Sequence, residues 1–124
     1  MQLENRCFLY RAEKKQWADS ELECVKDGGN LLSLHSQKEY EFIRNAIKTI
    51  TGSDTRVWTG GYDIVKEAEW MWTDGSKWDF TAWGPGEPTN GQKVEHCMEL
   101  NYFGKANDAG CHNLKPFICS KNSF

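Results

Sequence analysis

The sequence lacks most of the signals that mark the commoner functional classes. It has no lysine/arginine block or basic stripe, and 15 basic against 18 acidic residues give a net charge of −3. A phosphate-backbone partner, and hence nucleic acid, is therefore not expected. No apolar run approaches the roughly 20 residues that cross a bilayer. Met1 to Arg6 contain no apolar h-region, so a secretory leader is absent, already removed or replaced by an initiating methionine. No Cys-x-x-Cys pair occurs, which excludes zinc-ribbon and thioredoxin-like sites. No Gly-x-Ser-x-Gly, His-Glu-x-x-His or phosphate-cradling glycine loop is present, so an enzyme is not expected. There is no internal repeat, linker or low-complexity tract, and 124 residues is the length of one domain, 1–124.

What the chain does have is aromatic bulk and cysteine. Six tryptophans and six phenylalanines can fill a core. Cys97 and Cys111 flank a short polar segment, and Cys24 and Cys119 lie near opposite ends. A local staple plus an end-to-end staple fits an oxidising compartment; five reduced thiols fit the cytosol. The odd cysteine is expected to be Cys7. Trp17, Ala18, Leu22 and Val25 recur at helical spacing over 15–26, and Gly28-Gly29 end that helix. Ser36 to Glu39 form a capping box, with the glutamate reaching back to the cap residue. Phe42, Ile43, Ala46, Ile47 and Ile50 follow as one apolar face, closed by Gly52. Short strands are predicted at 7–10, 57–60, 70–72, 97–100 and 116–119. The fold class is α+β: two early helices, then small antiparallel sheets supporting a long ordered loop. That loop, 74–94, holds Trp78 and Trp83, and Trp58, Trp70, Trp72 and Trp83 are expected to pin it to the core.

The chemistry concentrates between Gly86 and Asp108. Glu87, Glu95 and Asp108 offer carboxylates, Asn107 an amide oxygen and Thr89 a hydroxyl. Calcium takes six to eight oxygen ligands in flexible geometry, so this set suits Ca2+ better than magnesium. A cis Glu87-Pro88 bond would swing Glu87 and Thr89 to one side. Asn107-Asp108 also fits a simple turn, and the three carboxylates fit solvated surface charges. His35, His96 and His112 form no spacing pattern.

These residues carry a resemblance. From Cys7 to Cys119 the chain resembles the C-type lectin-like domains, with fish lectins especially similar. The resemblance rests on Cys24, Trp58 to Gly61, Trp70 to Gly75, Trp83 to Pro88, Glu95-x-Cys97, Asn107-Asp108 and Phe117 to Cys119, taken in order. It implies Cys24–Cys119 and Cys97–Cys111 bridges. It also implies a calcium site at Glu87, Thr89, Glu95, Asn107 and Asp108, with sugar hydroxyls bound to the metal and to Glu87, Thr89, Glu95 and Asn107. The sequence departs from the family at three places. Glu87-Pro88-Thr89 replaces Glu-Pro-Asn and loses an amide donor. Ala106 replaces the tryptophan before Asn107-Asp108. Cys7 lacks its N-terminal partner, leaving it free or available to link two chains. An auxiliary calcium site in relatives maps to Asp63, Glu67, Asn90 and His96; imidazole is a poor calcium ligand, so that site is not expected here.

The leading expectation is a secreted, calcium-dependent lectin that binds a glycan. The loop 89–94 has no aromatic residue, which leans toward mannose- or N-acetylglucosamine-type sugars. Tyr102 or Phe103 are candidates to stack on a sugar ring. The alternatives are protein recognition on the same scaffold and ice binding, as in fish type II antifreeze relatives. Several linked sites or an oligomer would supply avidity. Acid is expected to release ligand by protonating metal-binding carboxylates.

Overall fold

A computed structural model describes residues 1–84, 87, 95–102 and 104–122, with residue 102 described for its backbone alone. The elements run β1 (Gln2–Leu3), β2 (Arg6–Lys15), α1 (Trp17–Lys26), β3 (Asn30–Leu31), α2 (Gln37–Thr51), β4 (Val57–Tyr62), β5 (Met71–Trp72), β6 (Glu95–Tyr102), β7 (Lys105–Gly110) and β8 (Lys115–Asn122). The strands form one sheet in the order β1-β2-β8-β4-β6-β7, with β3 joined to β8 and β5 to β4. The pairings are antiparallel except β4 with β8, where Trp58 meets Phe117 in parallel, so the sheet is mixed.

The two faces of the sheet are covered differently. Successive side chains of a strand point to opposite faces. On β8, Ile118 joins Phe8, Leu34, Tyr40, Ile43, Ile47 and Met98 in the cluster under α2. Its neighbours Phe117 and Cys119 join Trp17, Cys24, Leu31, Trp58 and Cys97 under α1. Both helices bury a narrower stripe than the sequence suggests. In α1 the buried residues are Trp17, Ser20 and Cys24, whereas Leu22 and Val25 are exposed. In α2 they are Tyr40, Ile43 and Ile47, and Ile50 is exposed beside the terminus.

The α2 start is capped by Ser36 Oγ, which accepts from the Glu39 N–H at 3.1 Å. Glu39 does not bond back to the cap residue as a capping box requires. Its Oε1 accepts from the His35 N–H at 2.7 Å, while Oε2 pairs with Arg6 at 2.8 Å. Arg6 also donates to the Ser33 carbonyl and to the hydroxyls of Ser33 and Ser120. That strand-borne cation pulls Glu39 away from its local partner. The helix ends at Gly52, whose φ of 83° is the left-handed conformation glycine adopts without penalty.

The Cys24–Cys119 and Cys97–Cys111 disulfides are both formed, and Cys7 keeps a free, half-buried thiol. The bridges span sequence separations of 95 and 14. In a chain-entropy picture, loops of these lengths are worth about 4.7 and about 3 kcal/mol. Gly60 and Gly61 are required by crowding: a side-chain carbon on Gly61 would fall 2.7 Å from Met98 Sδ, and one on Gly60 would fall 2.9 Å from the Leu31 carbonyl.

The described part of the long loop is held by stacked rings. Trp78 stacks on Trp72 at 4.2 Å between centroids, and Trp83 meets Trp70 edge-on at 4.8 Å. Trp70, Trp78 and Trp83 pack against the α2-side core. Trp83 then bridges in parallel to Ala106, and Gly84 N–H donates to the Ala106 carbonyl at 3.0 Å. Ala106, fully buried, thus seats the loop against β7. The strand β7 was not expected from sequence; Asn107-Asp108 lies within it and is not a turn.

Candidate ligand pocket and cation-binding clusters

The residues between Gly86 and Asp108 divide in space. Glu87, Glu95 and Asn107 line one cleft of about 330 Å³, together with Arg56, Glu99, Ala109, Asn113 and Lys115. Asp108 is fully buried and is not among the lining residues. Strand alternation explains the split: Asn107 sits opposite Glu99 across the β6–β7 ladder, and Asp108 opposite Met98. Thr89, Asn90, the Glu87-Pro88 bond and the side chains of Tyr102 and Phe103 lie outside the described residues. Glu87 itself is half-buried, and its N–H donates to the Gly84 carbonyl at 3.0 Å.

The sequence reading missed Glu99. It lies in the middle of β6 with 1% of its surface exposed. Its signal was a carboxylate between the apolar residues Met98 and Leu100 of a predicted strand. Burying a carboxylate is costly unless charge and hydrogen bonds compensate. Here Lys115 Nζ stands 2.9 Å from Oε1, a charge contact whose angles fall short of a hydrogen bond, and Arg56 lies 4.0 Å from Oε2. Asn107 Nδ2 donates to Oε2 at 2.7 Å. Since a carboxylate only accepts, this bond fixes which way the amide points: one N–H is spent on Glu99, and the carbonyl oxygen is the atom of Asn107 suited to a cation. Glu87, Glu95 and that carbonyl make an all-oxygen donor set, which suits a hard cation such as calcium.

A second cluster was set aside at the sequence level. Among the described residues, Asp63, Glu67 and His96 are the one group of three acidic, histidine or cysteine side chains whose ligand atoms all lie within 4.8 Å of one another. His96 is therefore not an isolated histidine. Its Nδ1 lies 3.0 Å from Asp63 Oδ1 and 3.4 Å from Glu67 Oε2.

His35 also has partners. Its Nδ1 donates to Asp79 Oδ1 at 2.7 Å, and its Nε2 lies 3.0 Å from Ser76 Oγ. The His35 hydrogen bond holds the Asp79 carboxyl below the usual carboxylate range. An Asp-His-Ser line suggests a nucleophile, but the proton positions argue otherwise. The Ser76 and Ser33 hydroxyls each donate to Asp74 at 2.5 Å. With those protons committed to Asp74, the Ser76 hydroxyl offers none to His35 Nε2, so the three side chains do not form a base–nucleophile pair. Burial alone would raise Asp74, but the hydroxyls of Ser33 and Ser76, the Ser76 N–H and Arg6 outweigh it and lower its pKa.

With the fold and these clusters in view, known proteins give a consistent answer. The family model for the lectin C-type domain matches residues 13–121. The chain belongs to the C-type lectin domain family. The galactose-specific lectin nattectin of Thalassophryne nattereri is 40% identical over 119 residues, covering 95% of this chain and 75% of its own length. The lactose-binding lectin l-2 of Anguilla japonica is 42% identical over 121 residues, covering 93% and 71%. Herring type II antifreeze protein superposes with a TM-score of 0.89 at 31% identity, covering 99% of this chain and 95% of that one. A calcium-independent type II antifreeze protein gives 0.90 at 28% identity, covering 100% and 92%.

Proposed function

We propose that residues 1–124 form a single secreted carbohydrate-recognition domain that binds sugar in a calcium-dependent way at the Glu87–Glu95–Asn107 cleft. The observation that carries this is the convergence of oxygen donors from the long loop, β6 and β7 on one open cleft. Glu87, Glu95 and Asn107 would hold calcium there together with Thr89; Asp108, expected as a ligand from the sequence, is buried outside the cleft lining and is left out of the set. Bound calcium would offer coordination positions to adjacent sugar hydroxyls. The same carboxylates and amide would hydrogen-bond to those hydroxyls, fixing their orientation. Lys115 and Arg56 balance Glu99, so the buried carboxylate supports Asn107 without adding uncompensated charge.

The lean toward mannose-type sugars finds no support in relatives named for galactose and lactose. We take galactose-type sugars as the ligand. The two disulfides support the secreted reading, because such bridges persist in oxidising compartments. The test is retention on galactose- and mannose-substituted matrices with and without chelator. Elution from galactose by chelator supports the reading, and retention that ignores chelator overturns it. A non-reducing gel shows whether Cys7 links two chains. The likeness to antifreeze proteins favours ice binding as the second reading. Thermal hysteresis without sugar retention would select it.

A further inference from the structure

We propose that Asp63, Glu67 and His96 form a second, separate cation site that takes a borderline transition metal, zinc above all, and not calcium. The three side chains are brought together by backbone structure. Asp63 follows the last residue of β4, and its N–H donates to the His96 carbonyl at 3.0 Å, which ties the two residues across the strands. Asp63 is 2% exposed. Its Oδ2 accepts from the Ala68 N–H at 2.8 Å, which closes the 63–68 turn and brings Glu67 over the carboxylate. Its Oδ1 is directed at His96 Nδ1, 3.0 Å away.

The spacing suits a small ion. Ligands bonded to zinc at about 2.0–2.2 Å stand roughly 3.3–3.5 Å apart around a tetrahedron. The Nδ1 separations of 3.0 Å to Asp63 and 3.4 Å to Glu67 are close to that, and all the ligand atoms lie within 4.8 Å of one another, with the exposed Glu67 side chain able to close the remaining gap. The donor chemistry selects among metals. Calcium wants six to eight oxygens, whereas imidazole suits zinc and its neighbours in the first transition row. Asp63 is buried and fixed, while Glu67 and the His96 ring are 53% and 30% exposed. One side of the site therefore opens to solvent, leaving a fourth position for water or an outside ligand. The competing arrangement is a protonated His96 held as an ion pair by the two carboxylates, with no metal.

The experiment is calorimetric titration of zinc chloride into the disulfide-bonded chain saturated with calcium. Cobalt chloride serves as a spectroscopic substitute. The variants are His96→Asn, Glu67→Gln and, as a control for the other imidazole–carboxylate pair, His35→Asn. The expected result is a single equivalent of zinc, visible d–d absorption with cobalt, and a loss of at least about tenfold in zinc affinity in His96→Asn and Glu67→Gln. Calcium affinity should stay unchanged in both, and His35→Asn should bind zinc as the parent does. Absence of zinc binding, or zinc binding unaltered in His96→Asn, overturns the proposal. If His96→Asn is destabilised, the His96 ring 15N shifts of the parent titrated with zinc decide: unmoved resonances reject the site.

Discussion

The Glu87–Glu95–Asn107 cleft and the Asp63–Glu67–His96 cluster start from neighbouring residues of one strand yet differ in almost every physical respect. Glu95 and His96 open β6, and the first lines the cleft while the second meets Asp63 and Glu67. The cleft is open, oxygen-only and shared with two cations, Arg56 and Lys115. The other cluster is compact, anchored on a buried carboxylate and contains an imidazole. Hard, flexible coordination suits the first and small, nitrogen-containing coordination the second. Ligand type and spacing decide what a pair of sites can hold, even when one strand supplies both.

The comparison can be broken at its common support first. Replacing Cys24 and Cys119 with alanine should cost about 4–5 kcal/mol in urea unfolding, the largest effect, because that bridge closes nearly the whole chain. Replacing Cys97 and Cys111 should cost about 3 kcal/mol and weaken calcium and zinc binding together, since Cys97 follows His96 directly. Lys115→Met should cost about 2 kcal/mol by leaving Glu99 with a weaker counter-charge, with calcium affinity falling through Asn107. Lys115→Arg should restore most of it. Glu95→Gln should lower calcium affinity about tenfold, close to 1.4 kcal/mol, and leave zinc affinity unchanged.

The smallest effect concerns acid. Asp74 has a folded-state pKa below its reference value of 3.8. Its ionised form therefore stabilises the fold above that value, and the contribution disappears as pH falls through the lower folded value. Asp74→Asn should flatten the acid limb of the stability–pH curve below pH 4 without altering either cation site. A chemical denaturation series between pH 2.5 and about 5 measures it.

How much of this was legible in the sequence follows from how local each determinant is. Ser36 and Gly52 mark the ends of α2 through hydrogen bonds and backbone conformations that neighbouring residues set, and both read correctly. The tryptophans of the long loop were identifiable from their area alone, although which rings stack depends on the chain path. Glu39 was misassigned because its winning partner, Arg6, lies 33 residues away. Strand β7, Lys-Ala-Asn-Asp-Ala-Gly, contains no β-branched or aromatic residue. Its strand character comes from pairing with β6, and sheet propensity yields readily to such context. The same pairing separates Asn107 from Asp108, which a linear motif treats as one unit. Glu99 was visible only as an anomaly within an apolar strand, and its function depends on Lys115 from another strand. The Asp63 cluster was judged on ligand type for calcium, which says nothing about a different ion.

The contiguity of Glu95 and His96 also limits how this molecule can change. Because side-chain direction reverses at every step along a strand, removing one residue just before Cys97 while preserving its disulfide would move Glu95 into the position of His96. The imidazole would be lost from one site and the carboxylate from the other in a single event. The two sites can be tuned by substitution independently, but any insertion or deletion there must alter them as a pair.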